Sequence, residues 1–175
     1  PAELAALDAP DAVVVALTGS SAAGAAGTEW ERILAEHDGL AEKIHADATW
    51  TRAVADLARS ADRALRLVTV TAAGSAGGRS RAQAAAQLAR AGRRATGDLV
   101  TPFAVSAETD CLPTELVAHL VCSPAAADLA GAELVAGSGW FGLRSHPHPI
   151  GSISFGGPAL PAWFDEVLTE MVAPQ

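Results

Sequence analysis

The apolar positions of this chain follow two rhythms. Ala12–Leu17 (AVVVAL), Leu65–Thr71 (LRLVTVT), Leu99–Val105 (LVTPFAV) and Ala132–Val135 (AELV) are short aliphatic or β-branched runs bounded by turn residues. That is the pattern of strands buried in a parallel sheet. Between them the apolar positions return every three to four residues, which predicts helices. The first opens on Thr28-Glu29-Trp30-Glu31, a capping-box pattern, and sets Trp30, Ile33, Leu34, Leu40, Ala41 and Ile44 on one face, with a break expected near Gly39. A further helix is expected over about Thr49–Arg63. The next, about Arg79–Arg94, carries Ala82, Ala84, Ala85, Ala86, Ala89 and Ala91, so that another helix can approach closely. A fourth spans about Pro113–Val121, with Pro113 suited to a first helical position. This alternation predicts a three-layer α/β fold, with four parallel strands in sequential order, joined by right-handed crossovers.

After the last strand comes a Gly/Pro/His-rich tail, Gly137–Pro161, and then a short helix with Trp163, Phe164, Val167, Leu168, Met171 and Val172 on one face. That face suits docking against something apolar. The expected organisation is a core over residues 1–142 and a C-terminal arm with a docking helix over 143–175.

Composition narrows the function classes. The chain has 175 residues, half of them apolar and 18% charged, with a formal net charge of −8. An acidic chain without a basic stripe argues against nucleic acid and anionic membrane as partners. No apolar stretch approaches a membrane span, and the first residues lack the basic-then-apolar pattern of a leader, so a soluble cytoplasmic protein is expected. Cys111 and Cys122 have neither metal-ligand nor redox spacing and are expected to be buried free thiols.

Four segments, in order, resemble the second half of a short-chain dehydrogenase/reductase, over about Asp11 to Gly142. Asp11-Ala-Val-Val-Val-Ala-Leu-Thr-Gly19 resembles that family's fourth strand and its turn, and Thr28-Glu-Trp-Glu-Arg-Ile-Leu34 the helix after it. Arg66-Leu-Val-Thr-Val-Thr-Ala-Ala-Gly74 resembles the fifth strand with its serine-bearing end. Ser123 to Trp140, with a Ser-Pro loop and a Gly-Ser-Gly-Trp end, resembles the closing segment. The resemblance implies a Rossmann-like sheet and a nicotinamide-dependent ancestry.

The departures matter as much. The family's Tyr-x-x-x-Lys pair falls at Arg79–Gln83, here Arg-Ser-Arg-Ala-Gln, and the chain contains no tyrosine and a single lysine, Lys43. Neither Arg79 nor Gln83 can replace a general acid/base near neutral pH. By the same resemblance the catalytic serine position is Thr71 and the position of the family's asparagine is His37. The loop Thr18–Gly27 has the wrong glycine spacing for the cofactor fingerprint, whose strands are missing. No nicotinamide cofactor and no metal is therefore expected.

His146 and His148 alternate with prolines and lack a third ligand for a metal. Asp110 beside Cys111 has no base within sequence reach for a thiol nucleophile. Arg79, Arg81, Arg90, Arg93 and Arg94 read as a solvated helix face, or as recognition of a carboxylate or phosphate. Without its neighbouring strands, the apolar run Ala12–Leu17 becomes a sheet edge that either residues 1–9 or another chain must cover. The expected function is a catalytically silent subunit with a structural or regulatory role. It would act as a homodimer, or paired with a full-length dehydrogenase/reductase of the ketoacyl or polyketide type. Two alternatives stay open: a cofactor-independent lyase, isomerase or cyclase using Thr71, His37 and Arg79, and a flavodoxin-like small-ligand binder. The interface is expected on the helix Trp30–Ile44 with its continuation and the helix Arg81–Arg94, where a bulky charged residue at Ala85 or Ala89 is expected to split a dimer.

Overall fold

The computed structural model describes residues 10–17, 27–108, 112–146 and 161–172. Among these residues five strands form one sheet in the order β1 (Ala12–Leu17), β2 (Leu65–Ala72), β3 (Val100–Ala107), β4 (Glu133–Gly137) and β5 (Trp140–Ser145). The first four are parallel and β5 is antiparallel to β4. The helices are α1 (Glu29–Glu36), α2 (Leu40–Ala61), α3 (Ala76–Thr96), α4 (Thr114–Cys122) and α5 (Phe164–Val172). The fold is α/β with a Rossmann-like sheet between helical layers.

The alternation of β2 explains the two layers. Leu65 and Leu67 pack with Val54 and Ala58 of α2, whereas Val68 and Val70 pack with Val117 and Leu120 of α4. Phe103 and Val105 of β3 and Leu134 and Ala136 of β4 complete the α4 side. Helix α3 lies beside α2 on the other side. All three crossovers step the same way along the sheet, yet α4 sits on the face opposite α2 and α3. The β3–α4–β4 connection therefore has the opposite hand to the other two, against the expectation of right-handed crossovers throughout.

Local chemistry sets the helix ends as the sequence suggests. The Thr28 hydroxyl accepts from the Glu31 N–H while the Glu31 carboxylate accepts from the Thr28 N–H at 2.7 Å and its hydroxyl at 3.0 Å. Gly39, at φ 63°, separates α1 from α2, a conformation in which a side chain is strained. Helix α2 is continuous from Leu40, so the expected start at Thr49 is wrong: Leu40–Ala48 already belongs to it.

Two further expectations need correction. Residues 140–145, expected in the Gly/Pro/His-rich tail, form strand β5 across the expected core boundary at 142; its register to β4 carries a bulge at Glu133/Leu134. The Trp140 indole lies over Gly137, where an added Cβ would come within 2.2 Å of Nε1 and displace the ring. Cys122 is exposed rather than buried; Cys111 lies outside the described residues. Within this chain Trp163, before the C-terminal helix, is 42% exposed, while Phe164 and Val167 are half-buried.

The alanine face of α3 is spent inside the chain. Ala82, Ala85, Ala86 and Ala89 are all at least 95% buried within the chain, so Ala85 and Ala89 are core positions, and a charged residue at either would disrupt the fold rather than split a dimer. The outward small residues are different: half-buried Ala48 on α2 and exposed Ala91 and Ala95 on α3 border a groove of about 330 Å³, which Arg52, Asp56 and Arg59 also line. At the other end of the sheet β1 is the edge among the described residues, and Val14 is 45% exposed. Residues 1–9, which could cover it, lie outside the described set.

Candidate functional site

The four positions singled out by sequence have different settings. Thr71, on β2, is 1% exposed and its hydroxyl has no hydrogen-bond partner. His37, the C-terminal cap of α1, spends both ring nitrogens: Nδ1 bonds the Ile33 carbonyl at 2.7 Å and Nε2 the Ser80 hydroxyl at 2.8 Å. A carbonyl only accepts, so Nδ1 carries the proton and, in the neutral ring, Nε2 accepts from Ser80. Arg79 is exposed at the start of α3. Gln83 is also exposed and lines a different surface. No hydrogen bond joins any two of the four.

What closes the C-terminal end of the sheet near α3 is helix α1. The Glu36 carboxylate accepts from the Ala76 N–H at 2.6 Å, occupying one of the free N–H groups of the α3 N-terminus. Ser75 caps the same turn through the Gly78 N–H. Gly77 lies so close to α1 that an added Cβ would sit 2.0 Å from the Glu36 carbonyl oxygen, and one on Gly78 would sit 2.4 Å from the Ala72 carbonyl oxygen. This junction has donors and acceptors matched to each other.

A second fastening holds α2 to α3. Arg81 gives Asp47 a bidentate pair, with Nε and Nη2 each 2.7 Å from a carboxylate oxygen, and the side chains are 13% and 5% exposed. Arg90 donates to the Gly131 carbonyl at 2.9 Å and Arg93 to the Ala130 carbonyl at 2.9 Å. Three of the five arginines expected on a solvated face therefore bond other elements, Arg93 while still exposed; Arg79 and Arg94 are also exposed.

Beside α3 the molecule opens. A cleft of about 570 Å³ is lined by Ser80, Gln83, Gln87 and Arg90 from the helix and by Glu133 and Arg144 from the hairpin. Its volume falls within the ordinary range of small-molecule sites. Glu133, 3% exposed, accepts from the Ser106 hydroxyl at 3.0 Å and Arg144 Nη1 at 3.2 Å on Oε1, and from the Ser145 hydroxyl at 3.2 Å on Oε2. Arg90 Nη2 donates to Ser145 Oγ at 2.8 Å, and Arg144 Nη2 to Glu108 at 3.0 Å. Sequence reading missed Glu133 and Arg144; the available signal was a lone carboxylate inside an otherwise apolar strand, which must be paired when buried.

Among the described residues no three His, Cys, Asp or Glu side chains come together as a metal site, and no helix is long and apolar enough to cross a membrane. His146 is half-buried at the end of β5, and His148, Asp110 and most of the loop Thr18–Gly27 lie outside the described residues.

No family model and no curated protein matches the chain. Among solved structures it is similar to a short-chain dehydrogenase from Mycobacterium avium, at 18% identity and a TM-score of 0.45. The match covers 93% of this chain and 63% of that one, so the chain spans less than two thirds of that protein's length.

Proposed function

We propose that this chain is a catalytically silent, structural subunit built on a dehydrogenase-like half-fold. The observation that carries the reading is the closed junction of α1 and α3. Where an oxidoreductase of this build would need a titrating pair and room for a nicotinamide, Glu36, His37, Ser75 and Ser80 are bonded within the junction, and Gly77 is pressed against α1. Thr71 is buried below the surface, which also speaks against a cofactor-free enzyme using Thr71, His37 and Arg79.

The subunit part of the reading is supported by two unfinished surfaces. The edge of β1 is apolar on both faces, a pattern suited to a strand with a neighbour. The groove between α2 and α3, bordered by Ala48, Ala91 and Ala95, allows close helix approach. A second copy or a full-length reductase would cover one or both.

The test is fluorescence titration of the purified chain with NADPH and NADH, alongside light scattering. No saturable cofactor binding and a mass above one chain are expected. Micromolar cofactor binding would overturn the silent reading, and a monomer unaffected by Ala91→Arg would overturn the assembly.

A further inference from the structure

The α3–hairpin cleft has the makings of a ligand site that is independent of the silent-subunit reading, because it shares no residue with the closed junction except Ser80 at its rim. Its two walls come from rigid elements, and its chemistry is unbalanced. A guanidinium carries five N–H donors. Arg90 spends two, on Gly131 and Ser145, and Arg144 spends two, on Glu133 and Glu108. Among the described residues each therefore keeps three. Against those six donors the floor offers little acceptor capacity. A carboxylate accepts about four hydrogen bonds, and Glu133 already accepts three. Gln83 and Gln87, one turn apart and both exposed, add carboxamides that can give or take a bond.

Charge and hydrogen bonding point to the same class. The lining holds two guanidiniums and one carboxylate, in a chain of net charge −8. Glu108 takes one edge of Arg144 from outside the lining, leaving the local cluster close to neutral. Recognition must then come from directed donors more than from bulk attraction, which favours a small planar acceptor over a highly charged one. The arginines are already oriented by Ser145 and Glu133, so a ligand meets a preformed site.

We infer that this cleft binds a small organic carboxylate carrying an amide or hydroxyl, its carboxylate against Arg90 and Arg144 and its second polar group against Gln83 and Gln87. The experiment is NMR titration of the full chain with N-acetylglycine, with N-acetylglycinamide as the isosteric probe lacking the charge. Saturable binding with a Kd of about 1 mM or tighter is expected for the acid, with shifts centred on Gln83, Gln87 and Arg90, and none for the amide. Gln87→Ala should weaken it about threefold and Arg90→Gln about tenfold or more, since a charge-assisted bond is the stronger. The paired variant Glu133→Gln with Arg144→Gln, which leaves no buried charge unmatched, should abolish it. No saturation by about 10 mM acid, a Kd tenfold weaker than expected, would overturn the proposal. So would equal binding of acid and amide, or shifts confined to another face.

Discussion

Helix α3 meets its surroundings in two ways. At its N-terminal end the contacts are reciprocal: Glu36 caps the Ala76 N–H, His37 bonds Ser80, and two glycines remove the Cβ atoms that would hold α1 and β2 away. Along the flank facing β4 and β5 a polar wall borders open space, and the two arginines keep donors in hand. The difference is not one of polarity, since both regions are rich in hydrogen-bonding groups. It lies in whether those groups are matched to partners within the chain. A matched set fastens elements together, and an unmatched set on a rigid frame is available to something else.

This contrast makes the matched contacts of α3, with α1 at its N-terminus and with α2 through Asp47, fragile to single substitutions and the open side tolerant. The largest effect is expected for Asp47→Ala, which strips the carboxylate from Arg81 at a nearly buried site and should cost about 3–5 kcal/mol, read by urea denaturation. Replacing both, Asp47→Leu with Arg81→Met, should recover most of that loss; equal loss in the single and double variants would show that packing, not charge, holds α2 to α3. Next comes Gly77→Ala, whose Cβ collides with backbone rather than a movable side chain. It should cost about 1–3 kcal/mol, and a thermal midpoint unchanged from the parent would mean that α1 is not seated as described. His37→Ala removes two bonds at a half-buried position and should cost about 1–2 kcal/mol.

On the open side, Gln83→Ala and Gln87→Ala should each stay within about 0.5 kcal/mol of the parent, as exposed positions do. The smallest effect belongs to Glu31 at the start of α1. The Thr28 N–H, then the Thr28 hydroxyl, hold its carboxyl below the ordinary value of 4.5. A carboxyl with a lowered pKa in the folded state favours folding above its unfolded pKa, and that contribution fades as pH falls from about 4.5 through the lowered value. A slight fraying of α1 by circular dichroism below that pH is expected, absent in Glu31→Gln.

The sheet was largely legible because its signal is local. All four parallel strands begin and end within two residues of the aliphatic runs that announce them, and Thr28 and Gly39 punctuate α1 through their own chemistry. Strand β5 was hidden: Trp140-Phe-Gly-Leu-Arg-Ser145 has a glycine in the middle and sits beside Gly- and Pro-rich sequence, and it forms by pairing with β4 rather than by its own pattern. The site was less legible for a related reason. Asp47 finds Arg81 across 34 positions and Arg90 finds Ser145 across 55, and no periodicity carries pairings of that range. The alanines of α3 misled in an instructive way, since small residues allow close approach without saying whether the neighbour is another chain or this chain's own α2 and sheet.

The claim that the α1–α3 junction leaves no working cofactor pocket has a direct test in amide hydrogen exchange, followed by mass spectrometry with and without a large excess of NADPH. The Ala76 and Gly78 amides, each bonded to a side chain, should be protected in the free protein and unchanged by the nucleotide. Rapid exchange at those amides, or protection that rises with NADPH, would show that the junction opens to admit a cofactor and would contradict the account.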